Sequence, residues 1–155
     1  MNDVRRLNNI LATLFSNVLK VEESVMKKSK AKDLSVTEIH TLVAIGKGEA
    51  KTMTQVADAL KVNVSTLTAA INKLVAKDYV NRFRIQEDRR IVMVELTEAG
   101  ARAVREHEAY HFVMLRDVLA QLAPAEKERF LESLEGANEF LLRRIIKNKS
   151  KEASI

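Results

Sequence analysis

The chain has 155 residues, of which 46% are hydrophobic, a formal net charge of +5 at pH 7 and no cysteine. This length predicts one domain with a substantial core, and the modest basic excess is compatible with a nucleic-acid binder. The absence of cysteine excludes disulfides, thiolate metal ligands and a thiol redox switch. We expect a cytoplasmic protein without a membrane partner, because there is no signal-peptide pattern and no apolar run near the roughly 18 residues that span a bilayer.

The first predicted element is a long helix over residues 3–28. Few glycines and a single proline favour long helices throughout. The apolar stripe of this helix is wider than one small domain face requires, so part of it is expected to contact a partner. A basic connector follows, which contains Lys27, Lys28, Lys30 and Lys32. The next helix is predicted from Asp33 to Gly46, with Ser35 and Glu38 at the spacing of a capping box.

A helix–turn–helix is predicted next. Its first helix begins at Thr52, which forms a capping box with Gln55. The turn is Lys61 to Asn63, and Asn63 is a good N-cap for the second helix. The apolar positions of that second helix repeat with helical spacing, and its opposite face carries short polar side chains that can reach base edges in a major groove.

Two strands are predicted after the helix pair, at Val80–Ile85 and Ile91–Leu96, and a short charged tip joins them. The arginines on or near this hairpin are expected to project into solvent, where a guanidinium can enter a narrow minor groove.

Two helices complete the chain. The first is capped by Thr97 and runs to about Ala123, and the second starts at Pro124 with Ala123 as a poor, frayed N-cap. Both have surplus apolar surface, as the first helix does. We therefore expect a two-fold homodimer, whose paired recognition helices would read half-sites about 34–36 Å apart.

The segment from Glu87 to Gly100, which reads E-D-R-R-I-V-M-V-E-L-T-E-A-G, resembles the wing signature of MarR-family winged-helix regulators. Asp88, Arg90, Leu96, Thr97 and Gly100 match its pattern, whereas Asp78 stands where the family often has glycine. The resemblance implies a mainly α fold with a small two- or three-stranded β-wing. It places a winged helix–turn–helix at 33–100 and dimerisation helices at 1–32 and 101–148.

The residues expected to bind double-stranded DNA are polar or basic side chains of the helix pair and the wing. They are Thr54, Gln55, Asn63, Ser65, Thr66, Thr68, Asn72, Lys73, Arg82, Arg84, Asp88, Arg89 and Arg90.

Residues 15–23 and 33–41 are similar to the FabT-like branch, which represses fatty-acid synthesis genes. That resemblance implies long-chain acyl carrier protein as co-repressor. The lysines at 27, 28, 30 and 32 would then form its docking surface. An apolar channel for the acyl group, or alternatively a filled core, would involve Leu11, Phe15, Val18, Leu34, Ile39, His40, His111 and Met114.

Two alternatives for the effector stay open. One is a regulator of efflux or stress genes that a small apolar or aromatic ligand releases from DNA. The other is a metal-responsive regulator, because His107 and His111 face the same side of one helix. The pair alone is a weak signal, so we expect neither a metal nor another cofactor. An enzyme is not expected either, because the sequence has no Gly-rich phosphate loop and no supported catalytic triad.

Overall fold

The computed structural model describes the backbone of residues 2–86 and 88–152 and the side chains as far as residue 144. Contacts divide the chain into two compact units, Met1–Ala109 and Tyr110–Ile155. The elements of the described residues are α1 (Asn2–Lys28), α2 (Val36–Ile45), β1 (Lys51–Thr52), α3 (Met53–Leu60), α4 (Val64–Ala76), β2 (Val80–Arg84), β3 (Val92–Leu96), α5 (Glu98–Leu119) and α6 (Pro124–Glu152).

The predicted fold class is confirmed: the chain is mainly helical with a small antiparallel sheet of order β1-β3-β2. β2 and β3 pair from Val80 opposite Leu96 to Arg84 opposite Val92. The short strand β1 adds Lys51 opposite Val94, so the wing has three strands.

The helix caps predicted from the sequence are present. Both halves of the capping box are present at Ser35 and at Thr52. The side-chain oxygen of Asn63 accepts a hydrogen bond from the backbone N–H of Thr66 at 2.7 Å. Thr97 caps α5 in the same way by accepting from Gly100 at 3.1 Å.

Several predicted element ends were wrong by a few residues. α2 begins at Val36 rather than Asp33, because Ser35 is the cap and the preceding residues form a turn. α5 ends at Leu119 rather than Ala123, since i→i−3 bonds tighten the chain around Gln121. α6 continues to Glu152 instead of ending at 148.

The start of α6 also differs from the frayed end predicted for it. The carboxylate of Glu126 accepts a hydrogen bond from the backbone N–H of Ala123 at 2.8 Å. A capping box has two hydrogen bonds, and the one from the cap backbone N–H to the glutamate needs no polar side chain at the cap. Glu126 makes this bond and so compensates for the alanine at the cap.

The core of the first unit lies between α2, α3, α4, β3 and the first turns of α5. The winged helix predicted at 33–100 lies wholly inside this unit, together with α1. Residues of this core that are fully buried are Ile39, Leu42, Ile45, Val56, Leu67, Ile71, Leu74, Val94 and Val104.

α1 and α6 both expose large apolar side chains. On α1, Leu11 is 40% exposed and Phe15 is 63% exposed, and on α6 Phe140 is 56% exposed. Such stripes are typical of helices that bury part of their surface against another molecule. The described residues contain no helix that is both long and apolar enough to cross a membrane.

Candidate nucleic-acid interface and effector site

The outer face of α4 carries a polar stripe formed by Ser65, Thr68 and Asn72. Their spacing of three and four residues places them above one another on the helix. The hydroxyl of Ser65 donates to Asn63 at 2.7 Å, and that of Thr68 donates to the carbonyl of Val64 at 2.8 Å. The Ser65 and Thr68 side chains are therefore held by bonds within the helix and its cap, and Ser65 and Asn72 are exposed.

A groove of about 370 Å³ runs between α3, the start of α4 and the wing. The predicted residues Thr54, Thr68, Arg82 and Arg90 line it. Sequence reasoning did not identify Val64 and Ile91, which also line it, because isolated apolar residues carry no binding signal. A second groove of about 430 Å³ lies between α2 and α4 and is lined in part by Thr66 and Lys73.

The tip of the wing holds the predicted aspartate–arginine pair. The backbone N–H of Arg90 donates to Asp88 Oδ1 at 2.9 Å, and the guanidinium Nε of Arg90 lies 3.6 Å from the same oxygen. The Arg90 side chain is nevertheless 95% exposed. Arg84 and Arg89 are exposed as well, so the wing presents unburied cations close to α4.

Two of the residues predicted to bind DNA also take part in helix caps. Gln55 accepts from the backbone N–H of Thr52 at 2.8 Å, and Asn63 is the N-cap of α4. Both are exposed, and their caps orient the helices that carry the other polar residues.

The far end of α4 is fastened to the start of α2. The ammonium of Lys77 lies 2.9 Å from the Glu38 carboxylate, and Tyr79 donates to Asp33 at 2.8 Å. Partial burial acts to raise the pKa of Glu38, but bonds from Ser35 and Lys77 outweigh it, so this pKa is lowered. Burial and the bond to Asp33 raise the pKa of Tyr79 to about 12.

A second cluster lies where α1, α2 and α5 meet within the first unit. Glu22, His40 and His107 each place one ligand atom within 4.8 Å of those of the other two. His40 Nε2 is 3.4 Å from Glu22 Oε1, and the ring centroids of His40 and His107 are 5.5 Å apart. Glu22 and His107 are buried. His111 lies one turn beyond His107 along α5.

Sequence reasoning missed Glu22, although a signal for it exists. Glu22 stands four residues after Val18 and four before the buried Met26, so it occupies the apolar stripe of α1. A carboxylate is placed on such a stripe only at a cost, unless a nearby donor or metal compensates for its burial.

The residues predicted to form an apolar channel fall into different environments. Leu34 and Ile39 belong to the core of the first unit, and Val18 is half-buried. Leu11, Phe15 and His40 are exposed, while His111 and Met114 are half-buried in the second unit.

Two small cavities lie within the first unit, between the end of α1 and α5, and their linings include none of the predicted channel residues. One of about 80 Å³ is lined by residues that include Lys30, Tyr79 and Arg102. Another of about 30 Å³ is lined by residues that include Val25, Met26 and His107.

Residues 24–106, more than half of the chain, match the family of transcriptional regulators SarA/Rot. The chain is 34% identical to FabT of Streptococcus pneumoniae, solved in complex with DNA, over 90% of this chain and 98% of that one, with a TM-score of 0.86. It is 33% identical to the HTH-type regulator YpoP of Bacillus subtilis over 61% of this chain and 67% of that protein. MepR of S. aureus, solved with DNA, shares the fold at 18% identity, a TM-score of 0.74 and coverage of 87% and 97%.

These matches confirm the resemblance stated from the wing and the helix pair, and they identify a class of regulators rather than of enzymes. The chain therefore belongs to the SarA/Rot family of transcriptional regulators and has their MarR-like winged-helix fold.

Proposed function

We propose that the chain is a homodimeric repressor that binds a palindromic operator, with α4 in the major groove and the wing beside it. The observation that carries this proposal is the groove in which Thr68 of α4 and Arg82 and Arg90 of the wing lie together. Hydroxyls and guanidinium groups are suited to base edges and phosphates, respectively.

Selection of bound sequences from a random duplex pool tests this proposal. We expect an inverted repeat whose half-sites are centred about 34–36 Å apart, because a two-fold dimer presents its two recognition helices to one face of DNA. Recovery of sequences without a repeat would contradict it.

The dimer surface is proposed to include the exposed apolar stripes of α1 and α6. Replacing Leu11 and Leu141 with aspartate should give monomers or insoluble protein, because charges would replace apolar contacts at both stripes. Lys20→Asp, an exposed change on α1, is the control. An unchanged dimer in sedimentation would rule out these surfaces.

For the effector, we propose a long-chain acyl group on acyl carrier protein, which would act as co-repressor and place the regulator in control of fatty-acid synthesis genes. The likeness to FabT supports this proposal. A further support is that Lys27, Lys28, Lys30 and Lys32 are all exposed and that Lys30 lines the cavity beside α5. An acidic carrier protein is electrostatically complementary to such a patch.

The test compares operator affinity with acylated carrier, with unacylated carrier and without carrier. Acylated carrier alone should raise the affinity, typically about 5–150-fold for coupled sites. Lys27, Lys28 and Lys30 changed together to glutamate should lose this response while the free dimer keeps its operator affinity. Val18→Phe should abolish the response to long chains first, because it fills half-buried space. Equal affinities in all three conditions would exclude this effector.

A divalent metal is the second candidate effector, and the cluster of Glu22, His40 and His107 favours it. Two imidazoles and a carboxylate are the donor set of an open zinc site, and here they come from three different helices. A metal held by all three would tie α1 to α2 and α5. The residues present therefore match the chemistry of Zn²⁺. In the sequence, the pair His107 and His111 was by itself too weak a signal to predict such a site.

Titration of the protein with Zn²⁺ against a competing chelator tests this candidate. Glu22→Gln and His40→Gln should each weaken zinc binding about 10–100-fold or more, whereas Glu23→Gln, an exposed neighbour, should not. Operator affinity with and without Zn²⁺ then distinguishes an effector from a structural ion. Unchanged zinc binding in both variants would eliminate the site.

A further inference from the structure

Asn72, the last residue of the polar stripe on α4, is bonded to a side chain of the wing. Arg82 Nη1 donates to Asn72 Oδ1 at 2.9 Å. A guanidinium has donors and no acceptor, so the amide atom that faces Arg82 must be the oxygen. The orientation of the Asn72 amide is thereby defined by chemistry.

This bond biases which polar group of Asn72 binds DNA. The guanidinium of Arg82 occupies one of the two lone pairs of the amide oxygen and weakens that oxygen as an acceptor for a base, whereas the bond uses neither donor of the amide nitrogen. An asparagine that bonds to both N6 and N7 of adenine needs that oxygen to accept from the N6 amine. Guanine instead presents two acceptors, N7 and O6, to which the free Nδ2 group can donate.

We propose that Arg82 is a positioning residue that sets base specificity: it makes Asn72 a hydrogen-bond donor and so favours guanine at the base pair that Asn72 faces. This inference rests on the proposed DNA-binding function. It gives Arg82 a positioning role in addition to the DNA contact proposed for it, whereas Arg84 and Arg90 are predicted only to contact DNA directly.

The strand that carries Arg82 is well suited to this role. Arg82 pairs with Val94 of β3, whose side chain is fully buried, so the backbone at Arg82 is anchored to the core. Both Arg82 and Asn72 are exposed in the free protein. Exclusion of water by bound DNA lowers the local dielectric and strengthens the bond between them.

The experiment measures competition between operator duplexes that differ at one half-site base pair at a time. Asn72→Ala first identifies the position whose base preference depends on Asn72. At that position the wild-type protein should prefer guanine. In Arg82→Met this preference should fall by about tenfold or shift towards adenine, with other positions unaltered. Arg82→Lys should restore part of it, because an ammonium also donates.

Two further variants separate positioning from direct contact. In the Asn72→Ala background, Arg82→Met should leave the base preference unchanged, because there is no amide left to orient. Arg84→Met, on the same strand, should lower affinity equally for all duplexes.

The inference is overturned if Arg82→Met lowers the affinity for the four duplexes equally, so that the guanine preference persists. It is also overturned if Asn72→Ala changes no preference, or if the wild type prefers another base there. A wild-type protein that binds no duplex would instead contradict the proposed function.

Discussion

Lys77, the C-cap of α4, donates to both carboxylate oxygens of Glu38 at 2.9 Å and to the backbone carbonyl of Asp33 at 2.6 Å. Glu38 is in the first turn of α2, where its carboxylate also accepts from the N–H of Ser35 at 2.8 Å. One carboxylate thus completes the cap of α2 and holds the C-terminal end of α4.

This arrangement predicts a pH-dependent stability. The folded-state pKa of Glu38 lies below its ordinary value of 4.5. A lowered pKa means that the unfolded chain binds the proton more readily, so the contribution is present above about pH 4.5 and is lost as the pH falls through the folded pKa. Glu38→Gln should therefore lower the free energy of unfolding by about 1 kcal/mol near neutral pH, and the difference from wild type should shrink in acid.

Urea unfolding at a series of pH values measures this effect, with Glu49→Gln, an exposed glutamate outside the helices, as control. Lys77→Met should show a similar loss at neutral pH. A difference between Glu38→Gln and wild type that does not shrink at any acid pH would disprove the assignment.

We expect a stabilising substitution at Asp78, which lies between α4 and β2. Its φ is 63°, which is left-handed backbone, and its carbonyl accepts from the Thr97 hydroxyl at 2.7 Å. Asp78→Gly should raise the free energy of unfolding by up to about 1 kcal/mol, since glycine has no Cβ penalty there. Asp58→Gly, inside α3, should lower it by a similar amount, and a loss of stability at both positions would contradict this account of the turn.

We expect a large loss of stability when a single methyl group is added at Gly100. A Cβ at this position would lie 2.2 Å from the carbonyl oxygen of Tyr79, and that oxygen also accepts from the N–H of Thr97 at 3.1 Å. Gly100→Ala should cost about 2–3 kcal/mol, because backbone must move. Gly136→Ala is the matched control: its Cβ meets nothing within 4 Å, and a helical alanine should add up to about 1 kcal/mol. Thermal unfolding of both variants checks the contrast, and equal midpoints would refute it.

Local signals account for what could be predicted from the sequence. Caps at Ser35, Thr52 and Asn63 define helix starts, because each involves residues only three positions apart. The family glycine at the position of Asp78 is explained by the left-handed backbone seen there.

The contacts that the sequence did not reveal join residues far apart in the chain. Lys77 meets Glu38 across 39 positions and His40 meets Glu22 across 18. Arg82 was expected to bind DNA, but nothing in the pattern of β2 indicates that it would reach Asn72 on α4. Such pairs depend on how the elements pack, which periodicity does not determine.

The most direct test of the account is operator affinity as a function of salt for the wild-type protein and for Arg90→Ala. Arg90 is exposed at the wing tip and oriented by Asp88. If the wing binds DNA, the wild type shows a steep negative slope of log K against log salt. Arg90→Ala should bind more weakly, and its slope should be less steep by about one unit, because one cationic contact is lost. Its fold should be unchanged by circular dichroism. Full affinity and the same slope in Arg90→Ala would contradict the proposed interface.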